Sequence, residues 1–142
     1  MHKHLKAAAR LAHDHEFDAG LEYYLCAIIV KGGNVLSVGY NKKATNSFVE
    51  YFADLARGKR DYCMSTHAEQ DAILQARSKI DLSGTKMYVV RIKPSGGLGL
   101  AKPCIICEQA IYNYGISRVY YSIGTEEYGV LKVTDPAGKI NV

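Results

Sequence analysis

Two short segments constrain the fold of this chain more than anything else in it: Thr66-His67-Ala68-Glu69 and Pro103-Cys104-Ile105-Ile106-Cys107, with 34 residues between Glu69 and Cys104. Each is predicted at a helix start that follows a strand, so the chain must bring two distant helix N-termini together if the segments act jointly. Cys104 and Cys107 sit three apart, and Pro103 suits a helix start because its missing N–H is an orphan donor there anyway. Both thiols then share one face of a first turn, where unpaired N–H groups and the helix dipole favour the thiolate that a metal needs. His67 and Glu69 open a helix running through Ala72, Ile73, Leu74 and Ala76. Two positions apart, their side chains do not stack, so His67 can bind a metal while Glu69 reaches past it. Structural zinc is usually closed by four Cys or His ligands, whereas three protein ligands leave a place for water. His67, Cys104 and Cys107 with an unligated Glu69 therefore read as a catalytic Zn²⁺ set.

Taken singly, each segment has plainer readings. A Cys-x-x-Cys is also half a zinc knuckle, a redox pair or two small buried side chains, and a lone His-x-Glu arises by chance. Two function classes besides an enzyme follow from these: a noncatalytic zinc or nucleotide-binding module, and a thiol redox protein using Cys104 and Cys107. Retention of Glu69 speaks against the first, because a structural metal does not require that carboxylate.

The chain's 142 residues suit one domain, taken as 1–142, with a single core. A hydrophobic content of 48% with 23% charged residues is ordinary for a soluble globular protein, and no apolar run approaches a membrane span. Met1-His2-Lys3-His4 leads into an Ala-rich polar helix and does not read as a signal peptide, so a cytoplasmic location is expected. With two cysteines claimed by the metal, Cys26 in an apolar strand and Cys63 in a loop, no disulfide is expected. The net charge of +4 is mild, and no basic run with interleaved aromatics marks a nucleic-acid track.

Periodicity predicts a helix from Leu5 to about Phe17, then strands Tyr23–Lys31 and Val35–Tyr40 around a Gly32-Gly33-Asn34 hairpin turn. A polar stretch, 41–66, holds a predicted helix near Ser47–Leu55. Helix His67–Ser78, strand Lys86–Ile92, helix Cys104–Tyr114 closed by Gly115, and strand Arg118–Ser122 complete the pattern. A hairpin followed by helix-linked strands argues for an α/β fold, a mixed sheet with helices on its faces. The histidines His2, His4, His13 and His15 read as a solvated helix face. Most of the 11 tyrosines read as core or interface anchors. Tyr128, with Phe48, Tyr51 or Phe52, is a candidate to stack on a base.

In order and spacing, from about Tyr24 to Ser122, the chain resembles the zinc-dependent cytidine/deoxycytidylate deaminase superfamily. The resemblance rests on Thr66 to Ile73 and Lys102 to Cys107, with weaker support from Val38-Gly39-Tyr40-Asn41 and Gly115 to Tyr121. It implies a three-layer α/β/α cytidine deaminase-like fold with a central mixed sheet. It also implies zinc on His67, Cys104 and Cys107, Glu69 as the proton-transferring carboxylate, and backbone groups near Ala68 and Cys104 orienting the base. Asn41 is similar in position to an asparagine that holds the sugar in many members, although Gly39-Tyr40-Asn41 is equally good turn chemistry. The implied activity is hydrolytic deamination of a cytosine nucleotide, on the deoxycytidylate pattern dCMP to dUMP. Free cytidine or deoxycytidine, a tRNA base and a single-stranded DNA base are alternative substrates. A small nucleotide is the expected partner, nucleic acid the less favoured one, and a homo-oligomer the expected assembly. Cations for a phosphate include Lys42, Lys43, Arg57, Lys59, Arg60 and Lys102. Two departures stand out: Asp71 where deoxycytidylate deaminases usually have Asn, and the Gly-rich stretch 94–102, read as a hairpin loop or, alternatively, a lid.

Overall fold

A computed structural model describes residues 2–15, 21, 24–43, 48, 51–52 and 66–135. The central element is a mixed sheet. Strands β1 (Tyr24–Lys31) and β2 (Asn34–Tyr40) form the expected hairpin, and β1 pairs antiparallel on its other side with β3 (Lys86–Ile92). Gly32 and Gly33 both take positive φ, 58° and 81°, in the turn that joins β1 to β2. That is what a tight hairpin matched to the strand twist demands. β4 (Leu98–Gly99) folds back on the end of β3, β5 (Arg118–Ser122) runs parallel to β3, and β6 (Tyr128–Lys132) closes the order β2-β1-β3-β5-β6 antiparallel to β5. The parallel pair needs a crossover, and the helix carrying Cys107 supplies it.

Alternation along β1 and β3 divides the core into two. Ala27, Ile29, Met87, Val89 and, on β5, Val119 face α2 (Ala68–Ala76) and α3 (Ile105–Asn113). Cys26, Ile28, Val30, Tyr88, Val90 and Ile92 face the other way, against Leu5, Ala8 and Ala12 of α1 (Lys3–Asp14). Strands buried on both faces are consistently apolar, as β1 is. The α/β/α layering expected from the sequence is the one observed.

Two strands lie outside the expected set. β6 hides behind a short turn and a Gly at 129, and its alternation leaves Tyr128 and Val130 exposed. β4 makes the Gly-rich stretch a hairpin: the Lys93 N–H donates to the Gly97 carbonyl at 2.8 Å, and Ser122 Oγ donates to the Gly99 carbonyl at 2.7 Å. Those bonds pin it to the sheet. α1 runs from Lys3 to Asp14, shifted toward the N-terminus relative to expectation, with the His2 ring capping the His4 N–H. The solvated-face reading is corrected for His2 and His4. Both rings pack at 4.9 Å from the Tyr88 ring and are half-buried, because the helix start lies over β3. His13 and His15 are exposed as expected, with His15 stacked on Tyr40.

Of the predicted helix 47–55, Phe48, Tyr51 and Phe52 fall within the described residues and are helical. Cys63, Arg57, Lys59 and Arg60 lie outside the described residues. Among the described residues, Cys26, Cys104 and Cys107 form no disulfide, and burial pushes the Cys26 thiol up to about 12. Among the described residues, no helix is long and apolar enough to cross a membrane.

Candidate metal centre

Placement of the site begins at β2. A Cβ built at Gly39 would fall onto the backbone N of Ala72 and the carbonyl O of Ala68, so only glycine lets α2 lie this close to the strand. Ser37 Oγ, two residues earlier, donates to the Ala72 carbonyl at 2.6 Å, and the Tyr40 N–H donates to Asp71 Oδ2 at 3.0 Å. Three contacts on one strand thus fix the start of α2. His67 is its N-cap, held in extended backbone while its N–H donates to Gln70 Oε1 at 2.8 Å. Cys104 is the N-cap of α3, and Cys107 lies within that helix's first turn. Both ligand-bearing helices therefore start one residue later than the sequence implied, with His67 and Cys104 as the capping residues.

The two helix starts converge. His67 Nδ1 lies 3.2 Å from Cys107 Sγ and 3.7 Å from Cys104 Sγ, and the three donor atoms all fall within 4.8 Å of one another. Zinc bonded to sulfur at about 2.3 Å and to nitrogen at about 2.0 Å in a tetrahedron separates its donors by roughly 3.5–3.8 Å. The cluster is able to bind a metal at that spacing with little adjustment. Among the described residues it is the one group of three or more such donors.

Glu69 stands beside the cluster, 3% exposed, and its Oε1 has no hydrogen-bond partner among the described residues. Burial pushes its carboxyl above the usual carboxylate range; His67 opposes that shift and Cys104 adds to it. An orphaned buried carboxylate oxygen is costly unless a water or ligand atom satisfies it. The donor set and this orphan together fit zinc with a water beside it.

A cavity of about 180 Å³ opens over these residues, and His67, Ala68, Glu69 and Cys104 line it. Asn41 lines it too, and its Oδ1 accepts from the Leu25 N–H at 2.8 Å, so it serves the strand and faces the cavity at once. Lys102 and Leu100 are exposed at its wall, and Arg91 of β3 contributes another cation. Arg91 and Leu25 were not singled out from the sequence, whereas Leu100 falls in the stretch 94–102 read as a hairpin loop or a lid. An arginine inside the apolar run Met87-Tyr88-Val89-Val90-Arg91-Ile92 is the signal that pointed to Arg91.

The aromatic candidates are not brought together here. Among the described residues no Phe or Tyr lines the cavity. Phe48 and Phe52 are buried against Tyr114, and Tyr128 sits on β6 near Tyr120. Lys42 is committed to Asp71 through a 3.0 Å ion pair.

Known proteins share the family and the fold of this chain. A curated relative, described as an uncharacterized deaminase in the luxG 3' region of Aliivibrio fischeri, is 33% identical over 102 residues. The match covers 72% of this chain and 60% of that relative, so the chain spans about three fifths of its length. Among solved structures, a cytidine deaminase from Burkholderia pseudomallei has the same fold, with a TM-score of 0.62 and 21% identity over 99% of this chain and 96% of that one. A dCMP deaminase from the cyanophage S-TIM5, solved with dCMP and dUMP, gives a TM-score of 0.54 and 22% identity over 83% and 76%. The family model of the cytidine and deoxycytidylate deaminase zinc-binding region matches residues 1–123, and the chain belongs to that family.

Proposed function

We propose that the protein hydrolyses the exocyclic amine of a cytosine nucleotide, dCMP to dUMP with release of ammonia, using zinc held by His67, Cys104 and Cys107. The observation that carries this reading is a buried Glu69 with an orphaned Oε1 in the same cavity as three convergent metal donors. Zinc held by these residues would lower the pKa of a water toward about 7. Glu69 takes one proton from the attacking water as the water oxygen bonds to C4 of the base. It passes that proton to ring N3, then takes the remaining proton from the new C4 hydroxyl and gives it to the amine as the C4–N bond breaks, leaving the C4 carbonyl. One group acts first as base and then as acid, which its burial suits. Ala68 opens α2, where first-turn N–H groups lack intrahelical partners and can orient the ring. Asn41 reaches the sugar.

The monophosphate is supported by Lys102 and Arg91 at the cavity wall and by the cyanophage fold relative solved with dCMP. Exposed Tyr128 and Val130 on the edge strand β6 support a homo-oligomer. The test is ammonia release from dCMP, CMP, deoxycytidine, cytidine, short single-stranded DNA and tRNA, with Asn41→Ala assayed beside the wild type. The expected result is the highest kcat/KM on dCMP, lowered about tenfold or more in Asn41→Ala through loss of a substrate hydrogen bond. Turnover of polymers alone overturns the mononucleotide reading. No turnover of any of them by zinc-replete protein favours the noncatalytic module instead.

A further inference from the structure

Asp71 is a carboxylate only 5% exposed on the face of α2 that meets β2. Its Oδ2 accepts from the Tyr40 N–H at 3.0 Å, and its Oδ1 accepts from the Lys42 ammonium at 3.0 Å and from the Gln75 amide at 3.2 Å. Residues 40 and 42 flank Asn41, whose own Oδ1 accepts from the Leu25 N–H. Lys42 and Thr66 also exchange both backbone hydrogen bonds, at 2.9 and 3.1 Å, and Thr66 immediately precedes His67. One side chain therefore holds both neighbours of the cavity asparagine and, through Lys42, the segment that delivers a metal donor.

The tether matters because, among the described residues, β2 is the outermost strand on that side, and the segment that leaves it is held otherwise by the single Lys42–Thr66 bridge. Asn at this place would offer one acceptor oxygen and no charge. Asp offers two oxygens, and here both are used. Lys42 is about half exposed, so the pair acts more as a geometric tie than as a source of stability.

We propose that Asp71 is a positioning residue that sets Asn41 against the cavity by holding residues 40 and 42, and so governs substrate binding rather than the chemical step. The proposal rests on the deaminase reading only in taking Asn41 as a substrate contact. A plain helix-stabilising role for Asp71 predicts something different: lower stability and zinc content with an unaltered KM.

The test compares full-length, zinc-loaded wild type, Asp71→Asn and Lys42→Met by three readouts: zinc per chain, kcat and KM on the best cytosine substrate, and hydrogen exchange at the Leu25 amide. In Asp71→Asn, zinc is expected to stay bound and kcat to stay within about threefold, while KM rises about tenfold and Leu25 exchanges about tenfold faster. The buried amides of Ile28 and Val89 should not change, and Lys42→Met should show the same pattern more weakly. Wild-type KM and wild-type Leu25 exchange in both variants overturn the proposal. So does loss of zinc and kcat at an unchanged KM. If Asp71→Asn does not fold, Lys42→Met decides alone, and unaltered Leu25 exchange in it is contrary. If the wild type deaminates no cytosine substrate, the functional reading fails, yet Leu25 exchange still decides whether Asp71 sets the position of Asn41.

Discussion

Glu69→Gln is expected to retain about one zinc per chain and to lose about a thousandfold in kcat, the middle of the range for removing a positioned acid–base group. The amide keeps the shape and the hydrogen-bonding oxygen of the carboxylate but can neither take a proton from water nor return one to N3 or the amine. Because His67, Cys104 and Cys107 supply the donors, the metal site itself should be undisturbed. Removing the buried carboxyl also removes a group that burial disfavours in its charged form, so the variant should melt at the wild-type temperature or above it. Metal analysis, a melting curve and an ammonia assay on one preparation check all three. Activity near the wild-type level would remove Glu69 from the mechanism.

Gly39→Ala is expected to do comparable damage by a different route, without altering a metal donor or Glu69. Its Cβ would collide with the backbone of Ala68 and Ala72, and a helix backbone cannot step aside as a flexible side chain can. Either α2 lifts from β2, breaking the Ser37 and Tyr40 bonds to it, or β2 is pushed out of register. Overpacking of this kind costs about 3 kcal/mol, enough to lower the melting temperature by roughly 10 °C. Since His67 caps the displaced helix, zinc affinity should fall with stability. A wild-type melting point with full zinc content in Gly39→Ala would show that the close approach of α2 does not position the metal donors.

Gly39 also illustrates what the sequence could reveal. Gly39-Tyr40-Asn41 stands out as a turn signal, but the requirement for glycine comes from a helix about thirty residues further on. Local chemistry cannot show a contact across that separation. The donor set was legible because its constraints are local: three-residue spacing, a proline before the first Cys, and a helix start at each segment. Strands β1, β2, β3 and β5 were legible for the same reason, as apolar runs bounded by turn residues. β6 was not, since Tyr128-Gly129-Val130-Leu131-Lys132 is short and carries a glycine that usually weakens a strand. Its place follows from Tyr121, whose ring covers Gly129 across the β5–β6 pair, where any Cβ would collide with it. Nor could the aromatics be sorted in advance. Phe48 and Phe52 look like base-stacking candidates in a polar stretch, yet they fill the core beneath Arg77 and Tyr114. His2 and His4 were misread because a polar N-terminal segment gives no sign that it will lie on tyrosines of the sheet.

The account turns on zinc, Glu69 and a cytosine base acting in one cavity, and ammonia release from dCMP before and after metal removal tests that most directly. Zinc-loaded protein should release ammonia and form dUMP in equal amounts, lose the activity when a chelator strips the metal, and regain it when zinc is restored. Release that survives complete removal of zinc would contradict the account, as would a zinc-replete protein that releases no ammonia from dCMP or from any other cytosine substrate.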